Sequence, residues 1–244
     1  MLMFAADPAP TLTTGLSLLP LAGELAGFGL AIGFSPLHIG LLLLLLLGLH
    51  PLRRGGWLVL GWLVTSAVTI TLLLSVGHGL LLSMEKGTSH RTGLDLVAAG
   101  GLLALGLNSL LQRREEGDAQ PPWAQRLDRF CALPLPLLLG LSSVVQVASP
   151  DDLFLYAKAA SGVLAAQLNR QQEVIVVTGF SLISGLLLLV PLMALGALGQ
   201  ERVQPWLVQG KTLLLRHGEI LMGAVSLGLA VYLGWQGIEG LVLS

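Results

Sequence analysis

The stretch VVQVASPDDLFLYAKAASGVLAA, residues 144–166, decides how this chain is read. It is apolar and long enough to lie in a bilayer, yet it carries Asp151, Asp152 and Lys158. Ionisable groups at that depth are costly and usually face a protein interior or a water-filled path rather than lipid. Pro150 removes a helical hydrogen bond in the middle of the stretch, which predicts a broken or re-entrant helix instead of a straight span. Such a segment belongs to a polytopic helical protein with a polar interior, the setting of a transporter.

Outward from that stretch, the 244-residue chain is 54% hydrophobic and 11% charged, against roughly 25% charged in ordinary globular domains. Apolar windows of about 20 residues, enough to cross a bilayer as helix, recur near 22–48, 57–82, 94–111, 132–166, 172–198 and 218–241. The expected fold is therefore all-α, with six transmembrane helices. Residues 10–21 read either as an interfacial helix or as an extension of the first span. A formal net charge of −1 gives no reason to expect a nucleic-acid partner. Cys131 is the sole cysteine, so neither an internal disulfide nor a dithiol redox carrier is expected. The N-terminal MLMFAADPAPTLTTG lacks a basic region and a cleavage site, which predicts a first helix retained as an anchor.

Charge orients the spans. Arg53 and Arg54, then Arg113, Arg114, Arg126 and Arg129, then Arg202, Lys211 and Arg216 follow the first, third and fifth spans. Only Lys86, Arg91 and Arg170 fall on the other side. The positive-inside rule then places both termini outside a bacterial cytoplasmic membrane. In the longest loop Trp123, Leu127 and Phe130 share one helical face, predicting an interfacial helix on the inner leaflet or a docking surface for a protein.

A shift that lays Ser35-Pro36 on Ser149-Pro150 also lays the opening of the second span, at Trp57, on that of the fifth, near Gln171. Each half then has three spans with a broken first helix, and because three is odd the halves are inverted relative to each other. Broken helices of inverted repeats meet near the midplane and bind substrate or ions there. The division expected is 1–112 for the first repeat, 113–130 for a cytoplasmic linker and 131–244 for the second repeat.

The candidate binding residues are Ser35, Pro36, His38, Ser149, Pro150, Asp151, Asp152, Tyr156 and Lys158. One of the adjacent acids is expected to cap the restarted helix; the two project about 100° apart, which frees the second for a proton or cation relay. Lys158 is seven residues from Asp151, about 10 Å along a helix axis, so the two either line one path or Lys158 snorkels outward. Tyr156 is four residues past Asp152, within reach of a hydrogen bond. His38 titrates near neutrality when unperturbed, although a lone buried His is more often a satisfied structural group. Glu24 and Asn108 read as interfacial or interhelical contacts, and Gly29/Gly33, Ala98/Leu102 with Gly100/Ala104, and Ala224/Gly228 as close-packing rows. His38, His50 and His78 are too scattered for a metal motif. No cofactor is expected, and no nucleophile elbow, P-loop or metalloprotease helix appears.

The segments AIGFSPLHIGLLLLLLLGLHPLRRG, LGWLV and ASPDDLFLYAKAA, with a Trp-containing linker before the last, resemble the GAP family, the peptidoglycolipid-addressing proteins. The resemblance covers about 25–240 and implies membership of the LysE-type exporter superfamily, with six spans as two inverted halves. Many members carry an Asn-Pro-Lys-like break where this chain has Ser149-Pro150-Asp151. The resemblance implies export of an amphipathic small molecule or lipid-linked precursor. The function expected is thus a secondary exporter of a small or amphipathic solute, coupled to protons through Asp151 or Asp152. Divalent cation or metal efflux with help from His38, and a scaffold without transport, are the alternatives. Membrane lipid and a small-molecule or ion substrate are the partners expected, and a homo-oligomer is compatible with the sequence.

Overall fold

The computed structural model describes residues 11–80, 88–111 and 131–243. The expected linker helix at Trp123, Leu127 and Phe130 lies outside the described residues. Among those described the protein is all-helical: α1 Thr11–Gly33, α2 Pro36–Leu47, α3 Pro51–Gly79, α4 Ser89–Leu111, α5 Leu135–Ala148, α6 Pro150–Ala165, α7 Arg170–Ser184, α8 Leu186–Leu198 and α9 Gln200–Leu243.

Three of these helices are long and apolar enough to cross a membrane: α3, α4 and the Ile220–Leu243 part of α9. Counting each bent pair as one span adds α1–α2 and α7–α8, giving up to five. Their outer faces suit lipid. On α3, Leu60, Val64, Val68, Leu72 and Val76 are all exposed at steps of four, a continuous apolar stripe that water would penalise and hydrocarbon would not. By contrast α2, the Leu41–Leu47 run, buries Leu41, Leu42, Leu43, Leu45 and Leu46. A helix apolar on every side is a core helix, and α2 sits between α3, α8 and α9.

Both Ser-Pro pairs break the chain as expected. Ser35 (φ −98, ψ 108) and Ser149 (φ −71, ψ 115) are extended, each followed by a Pro at the first helical position. Proline disfavours helical backbone in the residue before it and carries no N–H to continue the preceding helix. At the first pair α1 and α2 diverge by 63°. A third break, absent from the sequence reading, bends α7 from α8 by 69° at Gly185. Of the two readings left open for residues 10–21, the structure has the extension of the first span, one helix running from Thr11 to Gly33. A further expectation is corrected. Arg202, Lys211 and Arg216 lie on the N-terminal half of α9, a continuous helix of 44 residues, and not in a loop.

The helix ends gather at two poles. At one, the Arg54 guanidinium donates to the carbonyls of Cys131 (2.7 Å) and Leu133 (2.9 Å), tying the α2–α3 corner to the chain entering α5. Leu192 of α8 packs at Gly55 beside it. At the other, His78 at the end of α3 faces Glu173 at the start of α7 at 3.7 Å. There Leu164 of α6 packs on Gly77, Leu21 of α1 on Gly162, and Thr92 of α4 on Gly240 of α9. Asn169 and Gln172 close α7 with a reciprocal capping box, the signature of a sharp helix start.

Candidate functional site

The two Ser-Pro breaks share one cavity of about 420 Å³. Phe34, Ser35, Pro36 and Leu37 line it from the first break, and Ser149, Pro150, Asp151 and Asp152 from the second. Leu105, Asn108 and Ser109 of α4, Val145 of α5 and Met222 of α9 complete the wall. Apolar side chains thus make one part of the lining and carboxyl, amide and hydroxyl groups the other, as in sites that take amphipathic ligands.

Ser149 is the residue before α6, with Asp151 and Asp152 in the first turn. Neither acid is a cap in the sense expected: the capping position belongs to Ser149, whose hydroxyl instead donates to Asp151 Oδ1 at 2.7 Å. Carboxylates in a first helical turn are still favoured by the helix dipole. Asp152 is only 6% exposed, lines the cavity, and makes no hydrogen bond or ion pair with any other described residue. Buried polar groups are nearly always bonded, so an unbonded carboxyl at a cavity wall marks a ligand-facing position.

The remaining expected residues are elsewhere. His38 is buried and off the cavity wall. Its Nε2 lies 3.2 Å from the Ser142 carbonyl and its Nδ1 2.8 Å from Ser35 Oγ, with Trp62 edge-on at 4.6 Å between ring centroids. A carbonyl only accepts, so Nε2 carries the proton, and in a neutral ring Nδ1 then accepts from the Ser35 hydroxyl. Both ring nitrogens are satisfied, and His38 clasps the first break to α5.

Tyr156 does not reach Asp152. Its hydroxyl donates to Ser66 Oγ (2.8 Å) and accepts from Gln146 Nε2 (2.8 Å), while Gln146 also donates to Ser66 (2.9 Å). Ser184 Oγ stands 3.1 Å from Ser66 Oγ, so α3, α5, α6 and α7 meet in a buried polar knot. Six residues past Asp152 on a helix, side chains have moved about 9 Å along the axis, and Lys158 points away from the cavity. It neither snorkels nor lines a path with Asp151: it pairs with Asp95 of α4, the two side chains 0% and 3% exposed. Close by, Gln236 of α9 donates to Glu24 of α1 at 3.2 Å and to Tyr232 at 2.7 Å.

The sequence reading did not single out Asp95, Gln146, Ser66, Ser109 or Met222. Asn108, expected as an interhelical contact, is on the cavity wall. A signal for Asp95 was present, since it is an acid inside apolar sequence, but the third span was taken to begin beside it. Among the described residues no three His, Cys, Asp or Glu side chains converge as a metal site.

A family model described as Sap, sulfolipid-1-addressing protein, matches residues 25–239. The chain belongs to the Sap family. This is a GAP-like family, so the resemblance drawn from the Ser-Pro spans holds at that level. The Sap match begins just after Glu24 and runs through Glu239, so it takes in both breaks and every residue of the cavity wall. No curated protein and no solved structure matches the chain.

Proposed function

We propose that this chain is an exporter of the cytoplasmic membrane that moves an amphipathic solute by alternating access of the cavity at the two Ser-Pro breaks. The observation that carries the reading is the convergence of both breaks and both adjacent acids on one half-apolar cavity. Membership of a family described by lipid addressing agrees with an amphipathic cargo.

The architecture that goes with this reading is six passages in two inverted triplets, as in LysE-type exporters, with α5–α6 as the broken fourth span. Its support is the alternation of helix ends between the two poles, the basic residues Arg53 and Arg54 marking one of them. That pole would be cytoplasmic by the positive-inside rule, with both termini outside. At the opposite pole the Lys158–Asp95 pair and the Glu24–Gln236 bond join α6, α4, α1 and α9. In this reading they close the outer side while the cavity is loaded from within.

Transport of a fluorescent amphiphile out of inverted or right-side-out vesicles tests the role of the acids. Asp152→Asn is expected to reduce proton-driven transport by ten-fold or more while the purified protein keeps its melting temperature, and Asp151→Asn to reduce it less because Ser149 already bonds that carboxyl. Undiminished proton-linked transport in the double variant would remove the acids from the mechanism.

A further inference from the structure

Helix α6 carries ionisable groups that face two different places. Asp152, in its first turn, lines the cavity at the breaks, whereas Lys158 lies toward the opposite pole and pairs with Asp95 of α4. A pair kept only to hold two helices together does best away from water, which weakens the attraction between its charges. This pair instead borders a polar space. A second, smaller cavity of about 10 Å³ is lined by Arg91, Thr92 and Asp95 of α4 and by Gln236, Glu239 and Gly240 of α9. Its size suits about one water. It joins the exposed Glu239 to Asp95, which is 2% exposed.

Two of the lining residues each bury a polar atom that has no hydrogen-bond partner among the described residues, Thr92 Oγ1 and Gln236 Oε1. The amide nitrogen of Gln236 is committed to Glu24 and Tyr232, so its oxygen is left as an acceptor. Buried polar atoms nearly always have a partner, and a water at this place supplies one to each. It would accept from the Thr92 hydroxyl and donate to Gln236 Oε1 and to the Asp95 carboxylate. Such a water stands between the outer surface and Asp95, where it can hand on a proton.

Other charged groups face the same spot from each neighbouring helix. Lys158 comes from α6, Arg91 lies one turn before Asp95 on α4, Glu239 comes from α9 and Glu24 from α1, with the Tyr232 hydroxyl within electrostatic reach. Among these acids, Asp95 alone both borders the small cavity and pairs with Lys158.

We propose, on the basis of the transport reading, that Asp95 is the outer binding site of the coupling proton, reached through this water site, and that proton binding there releases Lys158. A hydronium ion at the water site gives its proton to the Asp95 carboxylate and a water remains. The neutral carboxyl no longer compensates the Lys158 ammonium. A buried charge without its partner is strongly unfavourable, so α4 and α6 part at this pole and the ammonium meets water. The outer side thus opens in response to the proton that drives export, while Asp152 serves the cavity side.

Ser161, one turn beyond Lys158 on α6 and 1% exposed, reports the parting. The test places Ser161→Cys in the full chain with Cys131→Ser, in sealed right-side-out vesicles labelled from outside with a membrane-impermeant maleimide. Rates are normalised to Val242→Cys, a position 81% exposed, because thiol reactivity itself follows pH. Acidifying the outer medium is expected to raise the normalised rate by roughly five-fold or more, and acidifying only the lumen to leave it unchanged. Asp95→Asn is expected to label fast at every pH. Should that variant fail to fold, Lys158→Met with Asp95→Leu keeps the packing and is expected to label at a rate independent of pH. No response in the unaltered pair, a response that persists in either Asp95 variant, one that vanishes in Glu24→Gln or Glu239→Gln, or one that follows the lumen overturns the proposal. No cargo enters this measurement, so its failure leaves the transport reading standing, and that reading falls on the vesicle transport assay alone.

Discussion

Lys158 is the residue most misread by spacing alone. Its place in apolar sequence marks it as exceptional, and the structure withdraws it fully from solvent beside Asp95. Removing one member of a buried ion pair strands the other, at a typical cost of about 3–5 kcal/mol, whereas replacing both with apolar residues of similar size is often near neutral. Lys158→Ala alone is therefore expected to lower stability by about that amount, and Lys158→Met with Asp95→Leu to lose far less. Unfolding of the solubilised protein measures both, and equal losses in the single and double variants would mean the pairing contributes nothing. The same logic explains what could be read in advance. Asp151, Asp152 and the two Ser-Pro pairs announce themselves because each is locally anomalous. The partner of Lys158, like the Ser66 and Gln146 that hold Tyr156, lies on other helices, and periodicity within one helix carries no record of that.

Among the elements, prolines were legible and glycines less so. A Pro acts on its own backbone, so the breaks at Ser35 and Ser149 follow from two residues of sequence. The bend at Gly185 had a weaker cue, the Ser184-Gly185 pair, which is a known site of sharp kinks. Small-residue rows were right in kind and only partly right in place. Gly29 and Gly33 do face α7, but a Cβ added at Gly100 or Gly228 would meet no other group within 4 Å among the described residues. The close approach of α4 and α9 instead runs through Gly106 and Gly223, where a Cβ on each would come within 3.3 Å of the other's carbonyl oxygen. Which face of a helix meets a neighbour depends on rotation, and an all-apolar sequence does not encode rotation strongly. At Gly33 an added Cβ would collide with the Ser184 carbonyl, which is backbone and has no rotamer to yield, while Gly23 has open space. Gly33→Ala is expected to cost about 1–3 kcal/mol. Gly23→Ala should be neutral or stabilising by up to about 1 kcal/mol, since alanine is the better helix former. Thermal melts of the two variants, run side by side, check the difference, and equal melting temperatures would contradict the α1–α7 contact.

For the molecule as a whole, the all-helical membrane character followed from composition, while the count of spans did not. Six apolar windows were visible, yet α5 and α6 are each short and the α1–α2 and α7–α8 pairs are bent, so length and hydropathy alone give three to five spans. Proposed topology is decided by reporters: alkaline phosphatase fused after Leu243 or at Gly79 is expected to be active, and fusions at Gly48 or Gly199 inactive. The opposite pattern would reverse the orientation and put the cavity's loading side outside.

The length of α9 has a mechanical consequence. At 44 residues it measures about 66 Å, roughly twice the hydrocarbon thickness of a bilayer. One arm leans on α2, at Gly210 and Gly218, and the other on α4, from Gly223 to Gly240. Met222, at the midpoint, faces the cavity. In the transport reading, a cargo seated against Met222 therefore touches the one stretch that both arms share, and whatever displaces it bears on the contacts with α2 and with α4 alike.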